Sequence, residues 1–184
     1  MSFFRSVLPA LAWVVAACAL PVAQAHAQQR AHVHGQLKLE IAIEGPTVTI
    51  AMEAPLDSLL GFERAPRNDV EKKAVETMTA RLRTADGLFK IDPAANCKLG
   101  PVDLRSFVLG LGKAEAPARK SDEHADLDAN FGFNCSNAAQ AKFIEVGLFE
   151  AFQGTRQIEV QIVTADGQFK RTLRRPATRL AWGK

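Results

Sequence analysis

Apolar and polar residues alternate with period two from Leu37 onward. Leu37, Leu39, Ile41 and Ile43 take one parity; Gln36, Lys38, Glu40 and Glu44 take mostly the other. One dry face and one wet face along an extended segment predict a strand of antiparallel type. Glu44-Gly45-Pro46 turns the chain, and Val48, Ile50 and Met52 resume the alternation, so the pair reads as a hairpin. The stretch from Pro55 to Pro66 packs Leu56, Leu59, Leu60 and Phe62 between two prolines and predicts a short buried turn or helix. A helix follows. Asn68 stands as its cap with Glu71 three residues on, the spacing of a capping box. Val70, Ala74, Met78 and Leu82 then recur every four residues as one apolar stripe, which is expected to be core, and Asp86-Gly87 ends the element.

Residues 110–124 are rich in glycine, alanine and charge, carry no periodicity, and read as an exposed loop. Beyond them Leu127, Ala129, Phe131 and Phe133 alternate again. Two further strands, Ile158–Val163 and Gln168–Leu173, are joined by Asp166-Gly167. The expected fold class is therefore α+β: mostly antiparallel sheet with one long helix, one or two short ones and one disulfide. Two internal similarities raise a second possibility. Residues 84–90 (TADGLFK) and 164–170 (TADGQFK) differ at one position, and residues 34–43 and 124–133 each open an alternating strand with a histidine. The offsets are 80 and 90 residues, so an exact duplication is not supported. Two related β-rich halves stand beside the plainer reading, that Asp-Gly is a favoured turn pair.

The amino terminus changes the picture of where the chain works. Arg5 precedes an apolar run from Val7 to Leu20, and Ala23-Gln24-Ala25 and Ala25-His26-Ala27 offer small-residue cleavage sites. The run is too short for the roughly 20 residues that span a bilayer. Residues 1–27 are expected to be a signal peptide and 28–184 a single domain without a transmembrane segment. Val15-Ala16-Ala17-Cys18 resembles a lipobox, so a lipoprotein anchored through Cys18 is the alternative. With Cys18 in the leader, Cys97 and Cys135 remain as a pair, and in an exported protein such a pair reads as a disulfide. Closing that loop would contribute about 3–4 kcal/mol on the chain-entropy model. A zinc site on the two thiolates is the alternative, although the C-x-x-C spacing is lacking.

The formal net charge is +3, from 23 basic and 20 acidic residues, too mild to argue for a nucleic-acid partner. The basic stretch 170–179 fits either contact with lipid phosphate or a solvated strand face. No G-x-S-x-G, H-E-x-x-H, P-loop or G-x-G-x-x-G pattern is present, tyrosine is absent, and no enzymatic role is expected.

Candidate chemistry rests on the four histidines. If the first strand extends backward in register, His32 and His34 share its wet face, about 7 Å apart, and Val33 faces the core. On the later strand His124, Asp126 and Asp128 share the polar parity. Were the two strands neighbours, His32, His34, His124 and Asp126 would make a four-donor zinc site, with Asp128 or Glu123 as substitutes. The plain alternative is a pair of solvated strand-edge histidines.

Several segments together resemble one family. Residues 31–45 (AHVHGQLKLEIAIEG), 54–66 (APLDSLLGFERAP), the pair Cys97 and Cys135, and residues 148–168 (LFEAFQGTRQIEVQIVTADGQ) are similar to the ZrgA-like zinc-uptake proteins of Gram-negative periplasms. The most specific parts are the H-V-H-G start and the element Gly61, Phe62, Glu63, Pro66. The resemblance implies a periplasmic protein that binds Zn²⁺ and assists an inner-membrane zinc importer. Its initial histidines fall on His32 and His34. The histidine-rich loop of the family is missing here, and His124 is the sole histidine in residues 113–135. A single zinc ion is therefore expected. The competing function is an envelope interaction module that binds a protein partner without metal.

Overall fold

The computed structural model describes residues 33–113 and 125–183. Nine strands form two sheets. The larger has the order β4-β5-β2-β1-β7-β8, and the smaller is β3-β6-β9. In chain order the elements are β1 (Gln36–Glu44), β2 (Thr47–Pro55), α1 (Leu56–Leu60), α2 (Asp69–Arg83), β3 (Phe89–Ile91), β4 (Cys97–Arg105), β5 (Asp126–Cys135), β6 (Phe143–Val146), α3 (Leu148–Ala151), β7 (Gln157–Thr164), β8 (Gly167–Arg174) and β9 (Arg179–Ala181). All pairings are antiparallel except β1 with β7.

Period-two patterning explains the large sheet. Leu37, Leu39 and Ile41 of β1, Val48 and Ile50 of β2, Leu127 and Phe131 of β5, and Ile158, Val160 and Ile162 of β7 are all buried, at 1% exposure or less. They join the small sheet's Phe89, Ile144, Val146 and Leu180 in one core. The Phe89 and Phe131 rings, 5.1 Å apart at 54°, are a direct contact between the sheets. The opposite face of the large sheet carries Lys38, Glu40, Glu53, Asp128, Asn130 and Glu159, none of them buried. Both edges discourage further pairing. On β4 the register shifts between Leu99 and Val102, around Gly100-Pro101, and β8 presents the exposed cations Lys170, Arg171 and Arg174.

The expected α+β class with one long helix is corrected by this architecture. The fold is β-rich, and its helices span 5, 15 and 4 residues. The helix predicted after Asn68 forms as α2, with the Asn68 side chain accepting from the Glu71 N–H at 2.9 Å. Its apolar stripe is only half core, however. Met78 and Leu82 are buried, Ala74 is partly covered, and Val70 is 81% exposed. A helix that buries one turn of its stripe is an attachment to the sheets, not a layer of its own.

The paired heptapeptides do not mark two related halves. Residues 84–90 cap α2, make a 3₁₀ turn over Ala85–Gly87 and enter β3. Residues 164–170 form the β7–β8 hairpin turn and the start of β8. Identical turn chemistry thus serves two different backbones, and the surrounding strands decide which. The β1–β2 hairpin and the β7–β8 pair form as the sequence predicts. So does the disulfide, which joins Cys97 and Cys135 as direct partners in the β4–β5 ladder.

Candidate metal centre

The strand β1 does not extend back through His34. Gly35 adopts φ +81°, a left-handed conformation that glycine takes without steric cost, and the Gln36 N–H closes a turn onto the Val33 carbonyl at 2.9 Å. Val33, expected in the core, is consequently 57% exposed. The turn aims the His34 side chain across the rim of the sheet, to where β2 ends and α1 begins.

Three chain segments meet there. The loop before β7 takes the Gly35 carbonyl as acceptor for the N–H groups of Arg156 and Gln157, at 2.7 and 3.0 Å. The Gly35 N–H donates to Ser58 Oγ of α1 at 2.9 Å. After α1 the chain turns through Gly61, again at φ +81°, and Glu63 follows two residues later. The adjoining Arg64 fixes this segment to α2: its guanidinium makes a two-pronged contact with Glu71, at 2.7 and 2.8 Å, and lies over the Phe62 ring. Glu71 also accepts from the Arg67 N–H at 2.7 Å. The Arg64 hydrogen bonds, then the Arg67 one, bring its carboxyl down to about 2. A carboxyl lowered on folding stabilises the fold above the ordinary glutamate range, and that contribution disappears as pH falls through about 2. Glu71→Gln is therefore expected to lower the melting temperature at neutral pH and to flatten the acid limb of a thermal-stability profile, so that variant and wild type converge as pH falls toward 2.

The result is a compact donor set. His34 Nδ1 lies 2.5 Å from Asp57 Oδ2, and His34 Nε2 lies 3.8 Å from Glu63 Oε1. One donor atom each from His34, Asp57 and Glu63 falls within 4.8 Å of the others. The carboxylates are about three-quarters covered, and the imidazole is 65% exposed. Glu63 Oε1 is buried and has no hydrogen-bond partner among the described residues, a costly state for a carboxylate oxygen and one that a cation would relieve.

Of the residues singled out in the sequence, His34 is in this cluster. Asp126 opens β5, opposite Pro55 on β2, so β2 separates its strand from β1. The two strands are therefore not neighbours, the condition on which the four-donor site rested, although both begin at the same rim. Burial, then Glu53, Asp128 and Glu63 in that order, push the Asp126 carboxyl up to about 7, against a smaller pull from Lys38. Asp128 sits farther along β5, opposite Glu53 and Arg105. His32, Glu123 and His124 lie outside the described residues. Asp57 and Glu63 were not found by strand parity, since neither belongs to a strand. Their signal was present all the same: both fall in the segment 54–66 that the family resemblance picked out.

The loop before β7 leaves little room beneath the cluster. A Cβ built on Gly154 would stand 2.6 Å from the Ser58 carbonyl oxygen and 3.0 Å from that of Asp57. Gly154→Ala is expected to displace α1 and cost about 1–3 kcal/mol of stability, the usual range for overpacking. Thermal unfolding would show it, and an unchanged melting temperature would mean that α1 is not seated on this loop.

The chain is thus a β-rich domain with one disulfide and, at its rim, an accessible cluster of imidazole and carboxylate donors of the types that divalent cations take. A family model described as ZrgA family zinc uptake protein matches residues 31–182, and the chain belongs to that family. No curated protein sequence matches it.

Proposed function

We propose that the chain is a periplasmic zinc-binding protein that takes up Zn²⁺ at the His34–Glu63 cluster and passes it to a component of an inner-membrane importer. The observation that carries this reading is the buried Glu63 Oε1, without a hydrogen-bond partner among the described residues and facing His34 Nε2, in a member of a zinc uptake family. Zinc binds imidazole nitrogen at about 2.0–2.1 Å and carboxylate oxygen at about 2.0–2.2 Å, so two donors on one tetrahedral ion stand about 3.3–3.5 Å apart. The observed 3.8 Å closes to that separation with a movement of a few tenths of an ångström. Asp126 is the nearby carboxylate proposed to add charge or a further oxygen, and His32 and His124 are proposed as additional nitrogen donors. The exposed imidazole leaves one side of the cluster open, which suits a protein that must release its ion.

Export rests on the leader pattern in residues 1–27, and the Cys97–Cys135 disulfide supports an oxidising compartment. Among the described residues no helix is long and apolar enough to cross a membrane. No catalytic role is proposed. A second reading, an envelope module holding a protein partner without metal, draws on a groove of about 350 Å³ between α1, α2 and α3 that is lined by Leu59, Leu60, Val70, Met78 and Phe152.

Zinc-limited growth separates the two. Deleting the gene in its host should slow growth in zinc-depleted medium and not in zinc-replete medium. A wild-type copy should restore it, and a His34→Ala copy should not. Full rescue by His34→Ala would contradict the zinc reading and favour the partner-binding one.

A further inference from the structure

Resting on the cation reading of this cluster, we propose that Asp57 and Ser58 are positioning residues rather than ligands. The Ser58 hydroxyl orients the Asp57 carboxylate, and Asp57 holds the His34 imidazole in the tautomer that turns Nε2 toward the ion. Ser58 is 1% exposed, one of three buried polar residues among those described. Its Oγ accepts the Gly35 N–H at 2.9 Å, and its single proton is directed to Asp57 Oδ1 at 3.1 Å. One hydroxyl therefore fixes both the backbone next to His34 and the carboxylate beside its ring.

Both oxygens of Asp57 are thus engaged: Oδ1 by Ser58, and Oδ2 by His34 Nδ1 at 2.5 Å. A neutral imidazole with its proton on Nδ1 donates to Asp57 and carries its lone pair on Nε2. That nitrogen faces Glu63 Oε1, the oxygen without a hydrogen-bond partner among the described residues. The two carboxylates consequently divide the work. Glu63 has an oxygen to give the ion, and Asp57 spends its oxygens on orientation. Carboxylates that hold a metal-binding histidine in this way typically contribute 10–100-fold to affinity.

The test is ¹⁵N-histidine NMR of the full mature chain titrated with ZnCl₂, alongside zinc dissociation constants for Ser58→Ala, Asp57→Asn and a remote destabilised control, Leu180→Ala. On zinc addition Nε2 of His34 should take the metal-bound shift while Nδ1 keeps its proton. Ser58→Ala and Asp57→Asn should each raise the dissociation constant about 10–100-fold, measured well below their melting temperatures. Leu180→Ala should lower the melting temperature and leave the constant unchanged, so a purely structural role for Ser58 would not mimic the result. Metal at Nδ1, or a Ser58→Ala constant within about twofold of wild type, would overturn the arrangement. The wild-type spectrum decides even if a variant does not fold. Undiminished binding by His34→Ala would instead sink the cation reading itself, and this inference with it.

Discussion

Truncating Phe131 to alanine is expected to lower stability by about 3–5 kcal/mol, the usual cost of deleting a buried phenylalanine ring. Phe131 is wholly buried and sits mid-strand in β5, opposite Ile50 of β2 and Val102 of β4. Its ring also meets Phe89 of the small sheet, so the cavity would open at the contact between the two sheets. Against a typical total of about 5–15 kcal/mol, that is a large share of what holds the domain together. Urea denaturation of the oxidised protein would measure it. A loss below about 1 kcal/mol would mean that the two sheets do not share one core in solution.

Stability in the absence of metal should depend on pH through Asp126. The folded chain holds this carboxyl at about 7, against an ordinary aspartate value of 3.8. Between those values the folded state binds the proton that the unfolded state has released. Stability of the metal-free protein therefore falls as pH rises from about 4 through 7, and levels off above. Asp126→Asn, which cannot ionise, should lose that slope. A cation seated beside Glu63 favours the ionised form of Asp126, so zinc should weaken the slope in the wild type as well. Melting temperatures from pH 4 to 8, with chelator and with zinc, would show all three curves. A chelated wild type no steeper than Asp126→Asn would contradict the electrostatic account of this rim.

Much of the fold could be read along the chain because its cues are local. The alternation of Leu37 to Ile43 and of Val48 to Met52, with Glu44-Gly45-Pro46 between, contains the whole β1–β2 hairpin. Asn68 and Glu71 mark the start of α2 without any tertiary information. What was not legible depends on neighbours distant in sequence. The stripe of α2 has the right period, but only the sheets decide that Met78 is covered and Val70 is not. Residues 84–90 and 164–170 carry the same turn signal, and the strands around them impose different outcomes.

The candidate site divides in the same way. His34 stands out in the sequence by its residue type and its nearness to a strand, and the structure places it in the cluster. Its partners do not stand out, because Gly35 turns the chain away from strand parity and aims the ring at α1 and the segment after it. Asp57 and Glu63 come from a short helix and a loop, where no simple period says which way a side chain points. The motif that contained them was visible; the geometry that gives it meaning required β2 to deliver α1 to the same rim as the start of β1.

The most direct test of the central claim is calorimetric zinc titration of the mature, oxidised, tag-free chain at neutral pH, beside His34→Ala and Glu63→Gln. The account predicts one site of sub-micromolar affinity in the wild type. Each variant should weaken it by more than about 100-fold, beyond the range expected when only an orienting neighbour is lost. Undiminished binding in both variants would contradict it, and would place any zinc on other residues.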